Sequence, residues 1–187
     1  MADLSVTRKQ YLHELTFCRE IFEKKLIDYG ASWRVFRPSS LTDQLFIKAQ
    51  RIRSIEEKGT QKVKDDIRSE FMALVNYSIM AILQLKHGSS QDTTGKNEPL
   101  LDWYNEQAER AFQLMADKNH DYDEAWRDMR VSSMTDLILV KILRIKQIED
   151  NAGRTIVSEG IDSNYLDIIN YGMFALIRIR EQNPVVR

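Results

Sequence analysis

Lys118–Asp150 reads KNHDYDEAWRDMRVSSMTDLILVKILRIKQIED, and Lys25–Glu57 reads KLIDYGASWRVFRPSSLTDQLFIKAQRIRSIEE. Aligned without a gap, 15 of the 33 positions are identical. After one inserted residue the match resumes, with Asn76-Tyr77 falling on Asn170-Tyr171. Self-similarity at this spacing marks a tandem duplication of a unit of roughly ninety residues.

The unit reads as helical. Only 7 Gly and 3 Pro punctuate 187 residues, and they cluster between long periodic segments. In each copy the spacing of apolar residues predicts three helices. For the first copy these run over about Val6–Asp28, Ser40–Lys58 and Val63–Lys86. For the second they run over about Leu101–Asn119, Ser133–Asn151 and Gly160–Glu181. HGSSQDTTGKNEP, from His87 to Pro99, is polar, holds two Gly and closes on Pro, as a linker does. The expected organisation is a first helical repeat over 1–87, a linker over 88–99 and a second repeat over 100–187. The fold class is all-α, an internally duplicated helical bundle whose copies face each other about a pseudo-twofold axis. Ser40 and Asp43 read as the cap and third residue of a helix start, Ser39-Ser40 and Ser132-Ser133 read as caps, and Asp136 repeats Asp43.

Composition narrows the function. Charged residues make up 29%, with a net charge of -1, and no basic stripe suits duplex nucleic acid. The single cysteine, Cys18, gives neither a disulfide nor a CxxC metal clip. MADLSVTRKQYLHEL lacks an apolar signal core, and the longest fully apolar run, LILV, is far short of a span. A soluble, cytoplasmic protein with no membrane partner is expected. His13, His87 and His120 form no pattern with one another or with Cys18, and no P-loop or Rossmann glycine motif is present.

Three groups of residues invite a functional reading. Glu159, Ser163, Asp167 and Asn170 fall within about 80° of one another at 100° per residue, and the stripe runs on into Phe174 and Ile177. A stripe that turns from acidic to apolar is expected to be half-buried and to lead into a cleft. The first copy has Asp65, Ser69, Ala73, Asn76, Met80 and Leu83 there, so one carboxylate is replaced by Ala73. The second group is Lys141 and Arg144, the only charges in LILVKILRI, repeated as Lys48 and Arg51. Such charges need partners; salt bridges inside the bundle and the holding of phosphate oxygens are both open. The third group is Trp33-Arg34 and Trp126-Arg127 in the corner loops. These tryptophans suit a plug over the bundle end better than a base-stacking platform.

DYG-x-x-W, TDQLFIKAQRIRSIEE and EGIDSNYLDIINYGMFALI together resemble the nucleotide-modification-associated domain family, over nearly the whole chain except the linker and ends. That family is in turn similar to the MazG-type all-α nucleotide pyrophosphohydrolases and the dimeric dUTPases. The resemblance implies an Mg²⁺-dependent (or Mn²⁺-dependent) cleavage of a nucleoside triphosphate to monophosphate and pyrophosphate. It implies metal ligands among Glu149, Glu159, Asp162 and Asp167, with Glu159 and Asp167 catalytic. Lys141, Arg144, Asn170, Lys48, Arg51, Trp33 and Trp126 would then bind substrate, and Asp65 or Glu56 would add to a site built from both halves. The E-x-x-D of such a site is met by Glu159-Gly160-Ile161-Asp162, whereas Ile47 and Val140 stand where related domains carry an Asp before the lysine. A catalytically inactive nucleotide-sensing or protein-interaction bundle is the alternative. The expected partner is a nucleotide or nucleotide-like small molecule, with a homodimer left open.

Overall fold

The third helix of each copy is apolar round most of its circumference, and this decides the packing. The computed structural model describes residues 4–59, 66–96, 98–157 and 159–183. Its helices are α1 (Leu4–Tyr29), α2 (Pro38–Lys58), α3 (Ile67–His87), α4 (Leu100–Tyr122), α5 (Val131–Asp150) and α6 (Ile161–Gln182). Short 3₁₀ turns, Ser32–Val35 and Ala125–Asp128, precede α2 and α5. No strand occurs among the described residues. The all-α duplicated bundle is therefore what forms.

From Phe71 to Leu83 in α3, and from Tyr165 to Ile177 in α6, nearly every residue is buried. A helix of that kind needs cover on all sides, which one three-helix unit cannot supply. Accordingly α3 packs along α6, α2 packs against α5, and α1 and α4 each touch both α3 and α6. The two copies share one hydrophobic core, in which Tyr11, Leu45 and Leu74 of the first join Ile142, Ile169 and Met173 of the second. The expected pair of facing bundles is thus a single merged bundle. At the α3–α6 contact a Cβ on Gly172 would lie 3.0 Å from Val75 Cγ2, so glycine sets how closely these helices approach.

Polar contacts between the copies repeat about the pseudo-twofold axis. The Tyr11 hydroxyl donates to Asn170 Oδ1 and the Tyr104 hydroxyl to Asn76 Oδ1, each at 2.8 Å. Within each copy, the amide of Asn170 donates to the Ala111 carbonyl at 3.0 Å and that of Asn76 to the Cys18 carbonyl at 2.9 Å. Thr42 Oγ1 donates to Glu149 Oε1 at 2.8 Å, and Thr135 Oγ1 to Glu56 Oε1 at 3.0 Å. Asp43 pairs with Lys146, and Asp136 lies 3.7 Å from Arg53.

These contacts correct the expected helix starts. The N-caps of α2 and α5 are Arg37 and Arg130, neither making a side-chain cap bond, and Pro38 occupies the first turn, where its missing N–H costs nothing. Ser39-Ser40 and Ser132-Ser133 therefore lie inside their helices, and Asp43 and Asp136 serve cross-copy ion pairs instead of caps. In α3 the cap is Asp66, which accepts from the Ser69 N–H at 2.7 Å. The expected start at Val63, like Asp65, lies outside the described residues.

The linker is docked rather than slack. Ala31 N–H donates to the Thr93 carbonyl at 2.7 Å and Ser90 N–H to the Arg34 carbonyl at 2.8 Å. Arg34, 1% exposed, donates to both carboxylate oxygens of Glu98 at 2.8 and 2.9 Å, to the Gly88 carbonyl at 2.7 Å and to Gln84. Gly30 has φ +70°, and a Cβ there would meet Thr93 O at 2.5 Å; only glycine permits this approach. Among the described residues no helix is long and apolar enough to cross a membrane.

Candidate functional site

Two hollows occupy corresponding places in the two copies. One, of about 520 Å³, is bounded by Phe22, Lys25 and Leu26 of α1, by Ser32, Trp33 and Phe36 of the corner, by Lys48 of α2 and by Ser69, Glu70, Ala73, Asn76, Tyr77 and Met80 of α3. The other, of about 350 Å³, is bounded by Met115, Lys118 and Asn119 of α4, by Ala125, Trp126 and Met129 of its corner, and by Asp167, Asn170, Tyr171 and Phe174 of α6. Under the repeat alignment every residue bounding the second hollow has its counterpart bounding the first. The duplication thus carries a pocket with it, between the first and third helices of each unit and under its tryptophan corner.

The two pockets differ in where the carboxylate stands. In the second, Asp167 is 6% exposed and receives Lys141 Nζ at 2.6 Å on Oδ2 and Lys118 Nζ at 2.7 Å on Oδ1. Burial works against the Lys118 ammonium. Its hydrogen bond and charge attraction to Asp167, with Tyr171 and Glu159 adding, outweigh this and raise its pKa above the ordinary lysine value. Burial, then the Asp167 charge, raises the Tyr171 phenol, against the pull of Lys118 and Arg144. In the first copy Ala73 takes the place of Asp167, and the carboxylate sits one helical turn earlier as Glu70, where the second copy has Asn164. Glu70 is 5% exposed; Arg51 reaches its Oε1, and Lys48 Nζ stands 3.6 Å from Oε2. Glu70 Oε2 is buried with no hydrogen-bond partner. Lys25, the counterpart of Lys118, bounds the pocket with Ala73 where its twin faces Asp167.

The tryptophans differ too. Trp126 stacks on Phe174 with ring centroids 4.3 Å apart and planes 4° from parallel, which narrows the second pocket. Met80 replaces Phe174 in the first copy, and Trp33 instead leans on Phe22 at 6.2 Å and 52°. Both tryptophans are buried plugs as well as pocket walls, and both indole Nε1 groups are buried without a partner. Of the expected stripe, Asp167, Asn170 and Phe174 bound the second pocket, whereas Ser163 and Ile177 do not and Glu159 precedes α6.

The proposed metal ligands are not assembled. Glu149 accepts from Thr42 between α2 and α5. Asp162 lies in the first turn of α6, 3.3 Å from Arg110. Glu159 is exposed and precedes α6 rather than standing on it, beside Lys141 and Arg144 at a separate shallow depression. Asp167 is taken by two ammonium groups. Among the described residues no group of three or more His, Cys, Asp or Glu side chains is placed to hold a metal ion. Mg²⁺ needs several oxygen ligands around one point, and these residues do not fit it.

Of the expected substrate-binding residues, Lys48 and Trp33 bound the first pocket and Trp126 the second, while Arg51 reaches that first pocket's Glu70. Lys141 is committed to Asp167, and Arg144 lies on the exposed side of α5. Asn170 spends its amide on Tyr11 and Ala111, so it serves the bundle more than a ligand. Sequence reading passed over Lys25, Lys118 and Glu70. The lysines carried a signal, as the first identical pair of the repeat. Glu70 carried none, because its counterpart is Asn164 and the repeat hides a carboxylate that has moved by one turn.

No curated protein and no solved structure matches the chain significantly. The sequence model of nucleotide modification associated domain 1 matches residues 25–85 and 118–179, which make up more than half of the chain and hold most of the residues bounding both pockets. On that match the protein belongs to the nucleotide modification associated domain 1 family, with the domain present in tandem.

Proposed function

We propose that the protein binds a nucleotide in the first-copy pocket and acts there as a binding module, without hydrolysing its ligand. One observation carries this reading: the pocket sets two lysines, Lys25 and Lys48, on the polar side of an aromatic-lined hollow in which Ala73 has replaced a carboxylate. The volume, about 520 Å³, suits a small ligand. Ammonium groups suit a phosphate, and Phe22, Trp33, Phe36 and Tyr77 suit a base. Glu70 Oε2, buried and lacking a donor, suits an N–H or O–H of the ligand. The family description, nucleotide modification, supports the class of ligand. A distant MazG-like ancestry, an intracellular setting and a homodimer belong to the same proposal; Mg²⁺-dependent pyrophosphohydrolysis does not, since its ligand set is dispersed.

Calorimetric titration with ribo- and deoxyribonucleoside mono-, di- and triphosphates, with Mg²⁺ or with EDTA, tests the reading. A monophosphate is expected to bind whether or not Mg²⁺ is present. Lys25→Ala is expected to weaken it about tenfold or more, since a hydrogen bond to a charged group contributes about 1.5–3 kcal/mol. Absence of binding by every nucleotide overturns the proposal. So does pyrophosphate release from a triphosphate that Glu159→Gln plus Asp167→Asn abolishes, which would place hydrolysis in the second copy.

A further inference from the structure

We infer that Asp167 is a built-in occupant of the second pocket, its carboxylate standing where the first pocket receives the anionic group of a ligand, so that the duplication has left one receptor site and one self-sealed copy. The inference rests on the reading of the first pocket as a nucleotide site and specifies what recognises the phosphate. Between the pockets the repeat alignment pairs Lys25 with Lys118, Lys48 with Lys141 and Ala73 with Asp167. At the second pocket both lysines close on one carboxylate, Lys118 from the pocket wall at 2.7 Å and Lys141 from the neighbouring depression at 2.6 Å. A carboxylate between two ammonium groups and a phosphate between two ammonium groups satisfy the same electrostatic demand.

The first pocket has the same two lysines and no carboxylate at that point. Its own carboxylate, Glu70, has withdrawn one turn toward the start of α3, where Arg51 takes one oxygen and Lys48 stays 3.6 Å from the other. The exchange is reciprocal: in the repeat alignment Glu70 matches Asn164, and Ala73 matches Asp167. Each copy therefore keeps one buried carboxylate for its α2 or α5 cations, and the position of that carboxylate sets whether the anion subsite is open. A second difference acts in the same direction, because the Trp126–Phe174 stack fills space that Met80 leaves free in the first copy.

Exchanging the carboxylate positions tests this while leaving each lysine pair a partner. Asn164→Glu plus Asp167→Ala gives the second copy the arrangement of the first; Glu70→Asn plus Ala73→Asp does the reverse. The probe is inorganic phosphate, followed by the indole N–H cross-peaks of Trp33 and Trp126 in ¹⁵N correlation spectra, with Trp103 as the internal control. In the native chain phosphate is expected to move the Trp33 peak and leave Trp126 in place. The first exchange is expected to make both move, and the second to make neither move. A thermal melt of each variant establishes that it is folded, and single Asp167→Ala, which vacates the position, serves if the first exchange is not.

Trp126 unmoved by phosphate in a folded first exchange, or in the Asp167→Ala chain that replaces it, overturns the inference. So does a Trp33 peak that still moves in the second exchange. If phosphate and every nucleotide leave native Trp33 unmoved while the first exchange makes Trp126 respond, the nucleotide reading of the first pocket fails and the sealing role of Asp167 stands. Movement of Trp33 and Trp126 alike in the native chain also overturns the inference, since it would show the second pocket open with Asp167 in place.

Discussion

Tyr104→Phe and Tyr11→Phe are expected to destabilise the protein by nearly equal amounts, and the reason lies in the two cross-copy hydrogen bonds. Each hydroxyl is buried and donates at 2.8 Å to an asparagine carbonyl on the other copy's third helix. Each asparagine spends its amide on a backbone carbonyl of its own copy's first helix. Removing the hydroxyl leaves Asn76 or Asn170 Oδ1 dry and unpaired, which costs about 1–3 kcal/mol. For a chain of this size that is roughly 2–4 °C in Tm per kcal/mol, hence a fall of about 2–12 °C. Thermal melts of the two single variants and the double measure it. The double is expected to lose the sum within about 0.5 kcal/mol, as separate sites with no shared partner do. An unchanged Tm in either single variant refutes the reasoning. So does a Tyr11→Phe protein that keeps its stability but changes its nucleotide affinity, because Asn170 would then be reading a ligand.

Two further perturbations follow from buried groups. Ser78, which takes the place of Gly172 on α3, is fully buried and its hydroxyl has no partner. Ser78→Ala is expected to raise stability by about 1 kcal/mol, or roughly 2–4 °C, read by melting; a fall would show that the hydroxyl is bonded. Burial lifts the Glu149 carboxyl above its ordinary value of 4.5, against the Thr42 hydrogen bond. A carboxyl raised in the folded state contributes stability below its unfolded pKa and loses it as pH rises through the folded value. Melts of Glu149→Gln from pH 4 to 7 are therefore expected to gain on the parent as pH rises above about 4.5, with Thr42 still donating to the amide oxygen. A difference between the two that stays constant with pH would sink that reading, and Glu56, raised by burial in the same way opposite Thr135, offers the repeat of the experiment.

How much of this could be read from the residues depends on whether the signal was periodic or relational. The six helices were legible because their apolar spacing is local and Gly and Pro punctuate so sparingly. The merging of the copies was half legible: helices apolar on every side demand neighbours, but periodicity does not say that the neighbour of α3 is α6. Helix starts misled, because Ser40 and Asp43 fit a capping pattern, while Pro38 can begin a helix two residues earlier and Asp43 is claimed by Lys146 across the axis. The site misled for a related reason. An acidic stripe on α6 looks the same in sequence whether its carboxylates meet a metal or meet lysines, and it is Lys118 from α4 and Lys141 from α5, brought together by the fold, that claim both oxygens of Asp167. The repeat held more information than either copy alone. Ala73 against Asp167 looks like decay when the aspartate is taken as the working residue. Once that aspartate is seen to close its own pocket, the same substitution is what leaves the first pocket open, and the copy without the aspartate becomes the one equipped to bind.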